Sequence, residues 1–389
     1  MTTLDRARLA RLDAAFEHAI AAGDIPGAVV GITTADDTTY LASFGYRDRE
    51  AGVAMTADSI FRTASMTKPV VAATALLLAD EGRLQLSAPI GHYLPELGNL
   101  RLGVEGAGTL ELIATNQPTV FDLLRQTSGF TNVGAGNSLV HAAYAAVPNL
   151  RDHQQTNADM VSRLARLPLL YRPGTTFEYG MSMDVLGAVL EVASGTDLNQ
   201  LVMEQIARPL GMSGTGFLVH EESRLAEPQI DRRTGLRPDL GYQKGRPPRW
   251  FRGGGGLLST VPDYLAFCRL LLNGGLVAGY PILSRHATTR MMTNALPPDV
   301  ELAPSVVRLG PMAPDPALGQ GFGLGGMVRT APNLHPWPGS VGDYSWSGRA
   351  GTYFWIDPAE GVAAVLMMQT EARPKYHELV RAVVYSALA

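Results

Sequence analysis

Ser65-Met66-Thr67-Lys68-Pro69 stands directly before the apolar run Val70 to Ala79, which reads as a helix. If Ser65 opens that helix, Lys68 follows one turn later on the same face, close enough for its amine to reach the serine hydroxyl. A serine hydroxyl is a poor nucleophile until a neighbouring base takes its proton, and the N–H groups of a helix N-terminus favour negative charge developing on a substrate oxygen. Pro69 falls within the first turn, where its missing N–H costs little. The spacing alone recurs by chance, so a base in the right protonation state has to be found. A lysine titrates near about 10.4 in water, and neutrality near neutral pH requires a depression of about three units, on the order of 4 kcal/mol. Sharing the task with a tyrosine is a cheaper route.

The surrounding composition narrows the classes of function. The chain has 389 residues, 46% hydrophobic and 17% charged, against a usual charged share of about 25%. That is ample for a large buried core and excludes a disordered chain or a small disulfide scaffold. The formal net charge is −4 and the arginines are scattered among acids, which argues against nucleic acid or an anionic membrane as partner. Lysine occurs only at Lys68, Lys244 and Lys375. In a chain that otherwise uses arginine, which cannot give up its proton, a lysine at position 68 is informative. The single cysteine, Cys268, lies in a helical apolar pattern with Tyr264, Leu265, Phe267, Leu270 and Leu271 and reads as a packing thiol. The N-terminus shows no charged segment followed by an apolar run, and the longest apolar stretch is half a membrane span, so a soluble, cytoplasmic protein is expected.

The pattern along the chain is β-rich at both ends and helical between them. A helix is expected from about Leu4 to Ala22, with Leu9, Leu12, Phe16 and Ile20 on one face, then strands Gly27 to Thr33 and Thr38 to Phe44 joined by a turn at Ala35-Asp36-Asp37. Further strands are expected at Phe322 to Arg329, Tyr344 to Gly348, Thr352 to Ile356 and Val362 to Gln369, with a closing helix from Lys375 to Leu388. Helical segments fall at Ser65 to Asp80, Val120 to Arg125, Asp159 to Arg166, Met183 to Ser194 and Leu198 to Ala207. This order predicts an α+β fold: an antiparallel sheet built from both termini and flanked by helices, with a mainly helical inserted domain. The expected units are residues 1–60 with 250–389, a helical unit 61–218, and an irregular loop 219–249 that could cover a pocket. Gly253 to Gly256 reads as flexible backbone joining that loop to the sheet.

A tyrosine for the base role is available in Tyr171-Arg172-Pro173-Gly174-Thr175-Thr176-Phe177-Glu178-Tyr179, where Tyr179 follows a Pro-Gly turn and precedes the helix near Met183. With these segments in place, the sequence resembles the serine-reactive hydrolases of the β-lactamase and penicillin-binding fold, most closely the family VIII carboxylesterases, which resemble class C β-lactamases. Ser65 to Lys68 matches the S-x-x-K motif, and Pro173-Gly174 through Tyr179, then Asp184-Val185-Leu186-Gly187, matches the segment presenting the catalytic tyrosine. Leu123 to Phe130, Gly253 to Thr260 and Tyr344 to Arg349 are supporting matches in the family's order. The resemblance implies Ser65 as nucleophile, Lys68 and Tyr179 as its base, and an oxyanion hole made of the backbone amides of Ser65 and Arg349. It implies no metal and no organic cofactor.

Three positions depart from the antibiotic-hydrolysing relatives. Met181 replaces an asparagine, Trp346-Ser347-Gly348 replaces lysine-threonine-glycine, and Gln126 replaces a histidine. The missing lysine would have faced the lactam carboxylate, so apolar Trp346 and Met181 point to a neutral acyl or alkyl group. Strand alternation puts Tyr344, Trp346 and Gly348 on one face and Ser345, Ser347 and Arg349 on the other. Gln126 is expected to hold the loop beside the tyrosine. Tyr242, Trp250 and Phe251 are candidate lid residues. The reading is hydrolysis of carboxylic esters with short or medium acyl chains through an acyl-enzyme. β-Lactam or D-amino acid peptide cleavage, other amide hydrolysis, acyl transfer to an alcohol, and a non-catalytic binding protein remain open. Gly180-Met181-Ser182-Met183-Asp184 lacks the closing glycine of an α/β-hydrolase elbow, and His377-Glu378 lacks the second histidine of a zinc motif.

Overall fold

The computed structural model describes residues 2–230, 234–371 and 374–389. Eight strands form one antiparallel sheet drawn from both ends of the chain. The N-terminal part supplies β1 (Gly27–Thr34), β2 (Thr38–Asp48) and β3 (Val53–Ala54). The C-terminal part supplies β4 (Gln320–Phe322), β5 (Met327–Arg329), β6 (Tyr344–Gly348), β7 (Thr352–Asp357) and β8 (Val362–Met368). Their spatial order is β4-β5-β6-β7-β8-β1-β2-β3, so the two termini meet where β1 pairs with β8 from Ala28 against Met368 to Thr34 against Val362.

Each face of the sheet is covered by helices. On one face lie the terminal helices α1 (Arg6–Ala21) and α5 (Pro374–Ala387), where the Phe16 ring stacks on both Phe44 and Tyr376. On the other lies α4 (Val261–Leu272). It approaches β1 so closely that a side chain at Gly31 would collide with Leu265 and Val261. Alternation then sorts the aromatic residues: Phe354 meets Tyr264 of α4, while Tyr353 stacks on His377 of α5. Trp346 is paired with Phe354 and shares its face, toward the helical part of the molecule. Cys268, on α4, is fully buried, and burial pushes its thiol upward from its ordinary value, which keeps it an inert packing group.

Two helices occupy the centre of the helical part. Helix α2 (Thr67–Asp80) is buried from Thr67 to Leu78, and α3 (Ser182–Ser194) from Ser182 to Leu190. Such all-round burial fits their apolar sequences. Among the described residues no helix is long and apolar enough to cross a membrane.

Two expectations need correction. Phe322 to Arg329 is not one strand but a hairpin, turning at Gly323–Gly326 with the Gly323 N–H donating to Gly326 O at 2.8 Å. Gly325, at φ +81°, lies where a Cβ would be 2.8 Å from Lys68 O, so the turn rests on α2. The four-glycine run is not a flexible joint either. Gly253 and Gly254 are buried, and none of the four has a positive φ. Gly253 and Gly254 are small because α3 leaves no room: a Cβ on Gly254 would meet the Asp184 carboxylate at 2.9 Å, and one on Gly253 would meet Met183 O.

Candidate active site

The serine turn is pinned from several sides. Ala64–Met66 forms a single 3₁₀ turn that leads into α2, and Ala64 sits at φ +47°, a left-handed conformation that costs a non-glycine residue about 1–3 kcal/mol. Thr67 Oγ1 donates to Ala64 O at 2.7 Å and accepts from Leu257 N at 2.9 Å. Tyr264 donates its hydroxyl proton to Met66 O at 2.8 Å. Ser65 is thus presented half-buried on a backbone held in a strained shape by its neighbours.

Lys68 is 3% exposed and touches three parts of the site. Its Nζ donates to Ser65 Oγ at 3.2 Å and to Gly254 O at 2.5 Å, and lies 4.6 Å from the centroid of the Tyr179 ring. The carbonyl at Gly254 is oriented in turn by Asp184, which accepts from Gly254 N at 2.9 Å and pairs with Arg252 at 3.4 Å. Gly254, Asp184 and Thr67 act by holding the site in place and were not singled out for a role from sequence. The signals were present in the threonine inside S-x-x-K, the glycine run, and the aspartate opening α3.

Tyr179 is held from behind. Phe130 O and Thr131 crowd the position of Gly180 so that only glycine fits, and the backbone amide of Glu178 donates to Gln126 O at 3.0 Å. Gln126 therefore braces the tyrosine segment through its main chain, at φ +61°, while its buried side-chain amide finds no hydrogen-bond partner among the described residues. Trp346 packs on Tyr179 with ring centroids 5.4 Å apart, and its Nε1–H donates to the tyrosine hydroxyl at 3.3 Å. Phe322 meets the same indole edge-on, with ring centroids 5.3 Å apart.

The expected substrate walls are placed differently. Trp346 and Met181 are each 1% exposed: the tryptophan lies beneath Tyr179, and Met181 is buried where α3 begins. Trp250 is a core residue whose Nε1–H donates to Asn157 Oδ1, Tyr242 is buried with its hydroxyl on Glu222, and Phe251 packs on Phe217. The part of the irregular segment that reaches the serine turn is Leu240, which packs with Ala64 and Ala350. Ser347 is half-buried and Arg349 is exposed at the end of β6. Gly348 lies against the serine turn, where a Cβ would intrude on Thr63 O and stand 3.1 Å from the Ala64 Cβ. Among the described residues no group of His, Cys, Asp and Glu is arranged to hold a metal, and His377 is buried against Tyr353.

A serine bonded to a lysine at a helix start, faced by a tyrosine, on a sheet joining both termini, defines a serine-reactive protein of the S-x-x-K class. The chain belongs to the beta-lactamase family, whose family model matches residues 12–389. It is 33% identical to Protein Rv1367c of Mycobacterium tuberculosis over 357 residues, 90% of this chain and 86% of that protein. It is 38% identical to Esterase EstB of Burkholderia gladioli over 233 residues, 59% of this chain and 57% of the esterase. Of solved structures, EstCE1, described as a hydrolase with promiscuous acyltransferase activity, superposes with a TM-score of 0.78 at 24% identity, covering 98% of this chain and 99% of that one. Simvastatin synthase (LovD) from Aspergillus terreus superposes at 0.80 with 24% identity, covering 97% of each chain. At that identity the two structures share the fold.

Proposed function

We propose that the protein hydrolyses carboxylic esters of short or medium acyl length through an acyl-enzyme on Ser65. The observation that carries this reading is the single ammonium of Lys68 bridging Ser65 Oγ, Gly254 O and the face of Tyr179. Ser65 Oγ attacks the ester carbonyl while Tyr179, with Lys68 beside it, takes the hydroxyl proton. A cation over the ring face and donating to Oγ supports a division of labour in which Lys68 supplies charge and Tyr179 accepts the proton. The amides of Ser65 and Arg349 receive the oxyanion, a role supported by the close seating of Gly348 on the serine turn. The proton passes to the departing alcohol, and a water activated by the same pair releases the acid. The name of the Burkholderia relative, an esterase, supports the ester over the lactam.

The domain reading keeps its sequence boundaries: residues 1–60 with 250–389 as one unit, 61–218 as the helical unit, and 219–249 as the covering segment. Its support is that Ser65, Lys68 and Tyr179 come from the second and Gly254 and Gly348 from the first.

The test is turnover of 4-nitrophenyl butyrate beside a chromogenic cephalosporin, for the native protein and Ser65→Ala. Ester turnover that disappears in the variant is expected. Full esterase activity in Ser65→Ala would remove the nucleophile, and faster cephalosporin turnover would return the chain to the lactamases. Acyl transfer has a specific observation in its favour, the description of EstCE1, and partition of the acyl group to added methanol measures it.

A further inference from the structure

The residue before Tyr179 is a carboxylic acid with no part in the proton transfer. Glu178 is 1% exposed, and its carboxylate is met by hydroxyls rather than by a cation. Thr131 Oγ1 donates to Oε1 at 2.7 Å and Ser305 Oγ donates to Oε2 at 2.6 Å, and no ion pair to Glu178 occurs among the described residues. Both lengths suit O–H donors on an ionised carboxylate, which accepts on each oxygen. Burying such a group without a cation costs stability, and a neutral side chain could tie the same segments at lower cost. Departures of this kind belong at functional sites.

The tie encloses the tyrosine from both chain neighbours. On one side the Glu178 amide donates to Gln126 O at 3.0 Å while its carboxylate spans Thr131 and Ser305. On the other, a Cβ at Gly180 would stand 2.9 Å from the Thr131 Cα, so Thr131 bears on the residues before and after Tyr179. Ser305 is delivered by a segment paired with this one, where Glu301 N donates to Thr175 O at 2.9 Å and Ala303 N to Phe177 O at 3.1 Å. The tyrosine ring meets different partners, Lys68 and Trp346.

Thr131 has one proton to give, and Glu178 takes it. Its oxygen is then the acceptor for His141, whose Nε2 lies 3.1 Å away and must carry the imidazole hydrogen. Burial pushes His141 below its ordinary value, which keeps Nδ1 bare to accept from Ser138 Oγ at 2.7 Å. Every hydrogen from Ser138 through His141 and Thr131 therefore points toward the carboxylate. An amide in its place would offer one acceptor and one donor. Thr131 could not turn its hydroxyl to suit the donor without leaving two N–H groups on one oxygen, so Ser305 would have to turn instead.

We infer that Glu178 is a positioning residue for Tyr179, its carboxylate fixing, through Thr131 and Ser305, the backbone from which the tyrosine meets Ser65 and Lys68. This rests on the reading of Ser65 as nucleophile and Tyr179 as acceptor of its proton. Steady-state kinetics on 4-nitrophenyl butyrate and urea unfolding, run together on the variants, test it. Glu178→Gln keeps the shape and removes the charge: kcat should fall about tenfold with KM within about twofold of native, while the urea midpoint stays equal or rises. Glu178→Ala should lose about 10²-fold in kcat. Ser305→Ala, at a half-buried position, should lower kcat about threefold in the native background and change nothing in Glu178→Ala. Native kcat in Glu178→Gln, a raised KM with kcat intact, or a loss that only tracks the unfolded fraction would overturn the role. If the native protein cleaves no ester, the esterase reading fails by itself, and the rate at which a 4-nitrophenyl alkylphosphonate labels Ser65, followed by mass, decides for Glu178. Slower labelling in both Glu178 variants supports the positioning role, and equal labelling, or none in the native protein, overturns it.

Discussion

Replacing Gly348 by alanine should separate catalysis from folding. The Cβ would stand well inside 3.0 Å of two oxygens, Thr352 Oγ1 and Thr63 O, and 3.1 Å from the Ala64 Cβ. The first contact cannot be relieved cheaply, because Thr352 Oγ1 donates to Thr63 O at 2.9 Å and turning it away abandons that bond. The second is backbone. Strand β6 and the serine turn must therefore part by roughly half an ångström or more, which moves the Arg349 amide away from that of Ser65. Overpacking of this kind costs about 1–3 kcal/mol of stability. A misplacement approaching 1 Å, or loss of one oxyanion donor, costs about 10²-fold in rate. The expected result is a folded protein whose kcat/KM on 4-nitrophenyl butyrate falls about 10²-fold, with acylation slowed in single-turnover experiments. Urea unfolding measured alongside gives the folded fraction. Activity within threefold of native, or a loss that only tracks the unfolded fraction, would refute the placement of the oxyanion hole between β6 and the serine turn.

The glycine run offers a graded series. Gly255→Ala meets its nearest neighbour at 3.8 Å and should be neutral, whereas Gly254→Ala displaces the Asp184 carboxylate and should lower kcat/KM about tenfold, read on the same ester. Thr67→Val keeps the shape of the side chain but leaves Leu257 N unpaired and takes from Ala64 O one of its two donors, the other being the Thr67 amide, a loss of about 1–3 kcal/mol in urea unfolding that Thr67→Ser should largely avoid. Burial pushes the His377 imidazole from 6.5 down to about 3. Between those values the unfolded chain binds a proton the folded one refuses, so stability falls by about 1.4 kcal/mol per pH unit as the pH drops below 6.5. His377→Gln removes that contribution, and unfolding at pH 7 and pH 5 should show a shallower decline than native. Equal declines would contradict it.

The chemistry of the site could be read locally because its parts are short-range. Ser65 and Lys68 are one helical turn apart, and Tyr179 follows a turn that Pro173 and Gly174 announce. The strands at both ends were equally plain, since β-branched and aromatic runs bounded by turn residues carry their own period. The hairpin hidden in Phe322 to Arg329 was not, because its glycines could mark either a bulge or a turn until Gly325 is seen lying on Lys68. The same ambiguity affected Gly253 to Gly256. In sequence, glycine means freedom; against α3 it means the absence of room.

Surface and interior assignments near the site behaved in the same way. Trp346, Met181, Tyr242 and Trp250 are large apolar or amphipathic residues, and sequence position alone cannot say whether such a residue lines a pocket or lies beneath its wall. Leu240, which does reach the serine turn, stands out in no local pattern. What the sequence by itself determined is the placing of Lys68 within reach of Ser65 and an antiparallel sheet made from both termini, because helical and strand periods and a three-residue spacing are properties of the local chain. The tertiary structure decided that the Lys68 ammonium meets Gly254 O and the face of Tyr179, and that Trp346 lies beneath that ring. Those facts depend on long-range packing, because groups more than a hundred residues apart in sequence meet only when the chain closes on itself.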